Sequence, residues 1–98
     1  MNIRIPSTSL NIPVCMRRLG YSFQKKENNG EMAFIRPLAR AGFPRFHIYT
    51  KTNMQETLLS IHLDQHKETY GKTTAHNGEY EDDGALKEEI KRIQSLLP

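Results

Sequence analysis

Groups able to bind a metal or move a proton recur at every second position in Ser60-Ile61-His62-Leu63-Asp64-Gln65-His66. Neutral imidazoles with a carboxylate suit Zn²⁺ and other first-row divalent ions. The same groups can act as general acid and base near neutral pH. Alternation with Ile61 and Leu63 predicts a half-buried β-strand whose successive side chains leave opposite faces. Side chains two positions apart on such a strand are about 6.5 to 7 Å apart, so neighbours among His62, Asp64 and His66 can hold one ion or one substrate group. A plainer explanation of the pattern is that polar residues solvate the outer face of a sheet.

A second alternating run, Phe46-His47-Ile48-Tyr49-Thr50, precedes this one, and a turn through Asn53 to Glu56 folds the two together. Phe46 and Ile48 must share a face with Ile61 and Leu63, because a slip of one residue would exchange the faces. The most symmetric closure pairs His47 with His62 and Arg45 with Asp64. His47 thereby joins the cluster. Residues 67–82 show no periodicity, which predicts a long loop, and long loops in compact domains often carry function. It brings His76 and Glu79. The candidate metal ligands are therefore His47, His62, Asp64, His66 and His76. His62 and Asp64 are the candidate catalytic groups, with Glu79 as a further ligand or as a base polarising metal-bound water.

Upstream, residues 1–10 read as an irregular lead-in. Asn11 is placed to cap a short helix that tolerates Pro13 in its first turn and shows one apolar stripe, Ile12, Cys15, Met16 and Leu19. Gly20 is placed to end it. Tyr21 to Lys26 alternate and run into Asn28-Asn29-Gly30, a strong hairpin signal. With Asn29 and Gly30 as the central pair of a type I′ turn, Phe23 faces Arg36 and Lys25 faces Phe34. Pro37 to Pro44 breaks the pattern. The last segment is an amphipathic helix with Asp82 and Asp83 as caps and Leu86, Ile90, Ile93 and Leu97 as its stripe.

At 98 residues and 37% apolar content the chain suits one small domain with a single core. It shows no run of roughly 18 apolar residues and no secretory h-region, so no membrane is expected as a partner and the expected compartment is the cytoplasm. Cys15 is alone and forms no internal disulfide. On the apolar stripe it reads as a structural thiol, and Ser60 near His62 lacks the other parts of a nucleophilic site. Charge is uneven: residues 1–52 carry nine Lys and Arg against two Glu, and residues 53–98 carry five against nine acids. Either the basic half meets an anion such as nucleic acid, or the halves neutralise each other on folding. Arg17, Arg18, Lys25, Lys26, Arg36, Arg40, Arg45 and Lys51 are the candidate phosphate contacts, with Tyr21, Tyr49 or Phe43 to stack on bases. No Gly-rich phosphate loop is present.

A helix running into Leu19-Gly20-Tyr21, then a hairpin of aromatic and basic residues, further strands and a final amphipathic helix resembles the small α-β-β-β-α domains of the double-stranded-RNA-binding kind. The order also resembles the HicA-type mRNA interferase toxins. That family's Gly-Ser-His segment corresponds here to Gly30-Glu31-Met32, so no catalytic histidine carries over. The expected fold is α+β, an antiparallel sheet of three to four strands with an N-terminal and a C-terminal helix on one face. The resemblance implies a small RNA-binding or RNA-processing protein related to toxin–antitoxin systems, with RNA as partner. The alternatives are a metal-binding hydrolase using Zn²⁺ or another divalent ion, and a non-catalytic domain that binds a protein partner or a second copy through an open sheet face or edge.

Overall fold

Side-chain alternation becomes a five-stranded antiparallel sheet in the computed structural model, which describes residues 1–6, 11–65 and 83–97. The elements are β1 (Asn2–Pro6), α1 (Ile12–Arg18), β2 (Ser22–Lys26), β3 (Met32–Pro37), β4 (Arg45–Thr52), β5 (Glu56–Asp64) and α2 (Asp83–Leu96). Across the sheet the strands run β1-β5-β4-β3-β2. The class is α+β, as expected, but the strand count and the order differ. A strand, not a helix, comes first. Asn2–Pro6 belongs to the stretch expected to be irregular, and it pairs with β5 from Asn2 opposite Ser60 to Pro6 opposite Glu56. Only Ile3 and Ile5 announce it, and they become core residues because β5 offers them an edge.

Register decides which residues meet. Phe34, Ile48 and Ile61 lie side by side across β3, β4 and β5 on one face, continued by Phe46, Leu63, Leu59 and Ile3. Both helices pack their apolar stripes into this same core, through Ile12, Met16 and Leu19 from α1 and Leu86 and Ile93 from α2. Burying one large aliphatic side chain contributes about 1.5 to 3 kcal/mol, so this layer is the main source of stability. Neither helix adds a residue to the opposite, outer face.

The Asn11 side chain caps α1 by accepting from Val14 N at 3.1 Å, with Pro13 in the first turn. Gly20 follows at φ +94°, and a Cβ there would sit 3.5 Å from Arg36 Nε. The β2–β3 hairpin departs from its expected register. Phe23 faces Phe34 rather than Arg36, Lys25 faces Ala33 rather than Phe34, and a bulge lies between Phe23 and Lys25. Among Asn28, Asn29 and Gly30 only Gly30 takes positive φ, at +92°. Gly30 N donates to Glu27 O at 3.0 Å, and Glu27 N donates to Glu31 O at 2.7 Å. The loop is thus three residues long with its left-handed position at the end, not a two-residue type I′ turn. By contrast β4 and β5 pair as the most symmetric closure predicts, His47 opposite His62 and Arg45 opposite Asp64. Asn53 Oδ1 closes their turn by accepting from Gln55 N at 2.7 Å and Glu56 N at 2.8 Å. The expected loop at 67–82, and the cap expected of Asp82, lie outside the described residues.

Candidate functional site

The outer face of the sheet carries most of the chemistry. Strand parity places Arg45, His47, Tyr49 and Lys51 of β4 there, beside Asp64, His62 and Ser60 of β5, Ile35 and Ala33 of β3, Lys25 of β2, and Arg4 of β1. Three of these are rings in a row. His47 and Tyr49 have centroids 4.5 Å apart with their planes inclined at 34°, and Tyr49 meets His62 at 6.2 Å in an edge-on contact. His62 is exposed and Tyr49 half-exposed, so the cluster opens to solvent.

Asp64 anchors one end of the row. Its Oδ2 accepts from Arg45 Nε at 3.2 Å and lies 3.4 Å from His47 Nδ1. The hydrogen bond with His47, opposed by burial and helped by Arg45, holds the Asp64 carboxyl below its usual range. Arg45 is held in turn, its guanidinium 4.5 Å over the Phe43 ring. His47 Nε2 is buried and has no hydrogen-bond partner among the described residues. The Asp64 contact at Nδ1 holds the imidazole in the face, with Nε2 turned away from solvent.

Four cations ring the aromatic row, each beside a carboxylate: Arg4 by Glu56 at 3.7 Å, Lys25 by Glu27 at 3.2 Å, Arg45 by Asp64 at 3.2 Å and Lys51 by Glu31 at 4.0 Å. The two lysine pairs are largely exposed, and such pairs are worth only about 0 to 1 kcal/mol, so the lysines can exchange a carboxylate for a phosphate at small cost. Beside Tyr49, at the β2–β3 turn, lies an open groove of about 440 Å³ lined by Lys25, Glu27, Asn28, Asn29, Glu31 and Tyr49.

The expected site residues divide clearly. His47, His62 and Asp64 come together, but among the described residues no three His, Cys, Asp or Glu side chains converge on a metal position. His66, His76 and Glu79 lie outside the described residues. Of the eight expected phosphate contacts, Lys25, Arg45 and Lys51 share the outer face. Arg17 and Arg18 are exposed on α1, which packs on the other side; Lys26 follows the inner-face parity of β2, and Arg40 is exposed between β3 and β4. Arg36 is engaged elsewhere, its Nη1 3.5 Å from Glu89 Oε1. Tyr21, proposed to stack on bases, is only 2% exposed and cannot do so.

Tyr21 and Arg36 belong to a network that sequence reasoning did not find. Glu89 of α2 is 4% exposed, accepts from the Tyr21 hydroxyl at 2.6 Å, and is gripped by Arg92 through Nε at 2.9 Å and Nη2 at 2.8 Å. Arg92 Nη2 also donates to Leu19 O at 2.6 Å, tying α2 to the end of α1. Burial alone would raise the Glu89 carboxyl, but the bonds from Arg92 and Tyr21 and the charges of Arg92 and Arg36 outweigh it and hold it low. Burial, then the bond to Glu89, drives the Tyr21 phenol far upward. Burial also raises the Cys15 thiol, against a smaller effect of Arg18, which makes it a poor nucleophile. The one available signal for Glu89 was its position three residues from both Leu86 and Arg92.

Fold and site together define a class: a small α+β protein that leaves an aromatic and charged patch on the sheet face opposite its helices. No protein-family model, curated protein or solved structure matches the chain. Among the described residues, no helix is long and apolar enough to cross a membrane.

Proposed function

We propose that this protein binds RNA through the outer face of its sheet. The observation that carries this reading is the ring row His47-Tyr49-His62, open to solvent at the centre of the face and bordered by Lys25, Lys51 and Arg4. Bases stack on such platforms whatever their sequence, and cations around them meet the backbone. The basic balance of residues 1–52 supports the same reading. A hydrolytic role has less support, since His47 Nε2 is enclosed and Asp64 is already held by His47 and Arg45.

Anisotropy of a fluorescent single-stranded RNA tests the proposal. Affinity should fall steeply between low and physiological salt, following counterion release. Tyr49→Ala should weaken binding by about tenfold, since each base stacked on an aromatic contributes about 1 to 3 kcal/mol. Binding unaffected by both salt and Tyr49→Ala would overturn it.

A further inference from the structure

Resting on that reading, we infer that the groove between the β2–β3 turn and Tyr49 is a pocket for one unpaired guanine, with Glu31 reading its Watson–Crick edge. The groove holds a stacking ring, Tyr49, whose hydroxyl makes no hydrogen bond among the described residues, and the side-chain amide of Asn28, likewise unengaged there. Its volume, about 440 Å³, falls in the usual range for small-ligand sites. Two of its walls are carboxylates, Glu27 and Glu31. On a face meant for RNA these acids repel phosphate, so what enters between them must present hydrogen-bond donors.

Base chemistry then discriminates. Guanine offers two adjacent donors, N1–H and the N2 amino group, which match the two oxygens of one carboxylate, the strong charge-assisted bidentate arrangement. Adenine and cytosine set one amino donor beside a ring-nitrogen acceptor. Uracil sets a single N3–H between two carbonyl oxygens, both repelled by a carboxylate. Of the two acids Glu31 is the better reader: its side chain, 29% exposed against 43% for Glu27, is the less hydrated, and its lysine partner, Lys51, stands off at 4.0 Å. Glu27 is nearer its own lysine, 3.2 Å from Lys25 Nζ, and so keeps that cation at the groove's mouth for the backbone. The Asn29 side chain is occupied in shaping the turn, accepting from Glu31 N at 3.0 Å, which fixes the stem from which the Glu31 side chain rises. The site belongs to single strands, because a paired guanine has its Watson–Crick edge covered.

The test compares short oligouridines carrying one central guanosine, adenosine, cytidine or uridine, by anisotropy on the full chain. The guanosine oligomer should bind about tenfold tighter than the all-uridine one. Glu31→Gln should erase that preference, bringing the guanosine and all-uridine oligomers to the same affinity, while Tyr49→Ala should weaken every oligomer. Circular dichroism of both variants checks that these half-exposed substitutions leave the fold intact. Equal affinity for guanosine and uridine oligomers, or a preference that survives Glu31→Gln, overturns the pocket while salt-dependent, Tyr49-dependent binding keeps the RNA reading. If no oligomer binds, or if a basic peptide occupies the groove instead, both fall.

Discussion

Glu89 shows how much one residue can hold. Its carboxylate faces Tyr21 from just before β2, Arg36 from β3 and Arg92 from its own helix, while Arg92 reaches the Leu19 carbonyl. Removing one member of a buried charged set leaves the others desolvated and unpaired, at a cost of about 3 to 5 kcal/mol. Arg36 and Arg92 are partly exposed and recover some hydration, so Glu89→Ala should lower unfolding free energy by about 3 kcal/mol in urea denaturation. A loss well below 1 kcal/mol would mean that the network adds little. The sequence presents Glu89 as one more acid near the start of an amphipathic helix. Its burial depends on where Leu19 and Tyr21 come to rest, and local pattern does not carry that. Asp64 lies at the other extreme: alternation, a parity rule and the most symmetric closure of the turn sufficed to place it opposite Arg45.

At the scale of elements, parity and caps were legible and loop geometry was not. The helix from Ile12 to Arg18 follows from Asn11, Pro13 and its apolar stripe, each acting within one turn. Because that helix is only seven residues long, its cap matters, and Asn11→Ala should destabilise the protein by about 1 kcal/mol, read as a lower urea midpoint with unchanged slope. The β2–β3 register was missed because Asn28-Asn29-Gly30 serves a two-residue and a three-residue loop equally well. The longer loop is accompanied by a bulge between Phe23 and Lys25, which brings Phe23 opposite Phe34, ring centroids 5.8 Å apart. Strand β1 was missed because two alternating isoleucines are too short a signal without knowledge of the edge they join. Arg4 was missed with it, and so a cation on the candidate site.

For the whole molecule, two carboxylates tie stability to pH. Glu89 and Asp64 both titrate below their ordinary values in the folded state. The unfolded chain therefore binds more protons than the folded one in acid, and stability present at neutral pH declines as pH falls from about 4.5 through the folded values. Urea unfolding at a series of pH values should show this acid limb, shallower in Glu89→Gln. A limb of equal slope in the variant would assign the effect to other groups.

The sheet's margins have a consequence for behaviour in concentrated solution. Order β1-β5-β4-β3-β2 leaves β1 and β2 as the outermost strands, each five residues long. An outermost strand is a template on which another chain can add itself, and repeated addition ends in fibrils. β2 interrupts its ladder with a bulge and carries Lys25 and Lys26, while β1 carries Arg4 and ends at Pro6, which has no amide hydrogen to offer. The irregularities that hid β1 from pattern recognition and shifted β2 out of its expected register guard the sheet against endless extension.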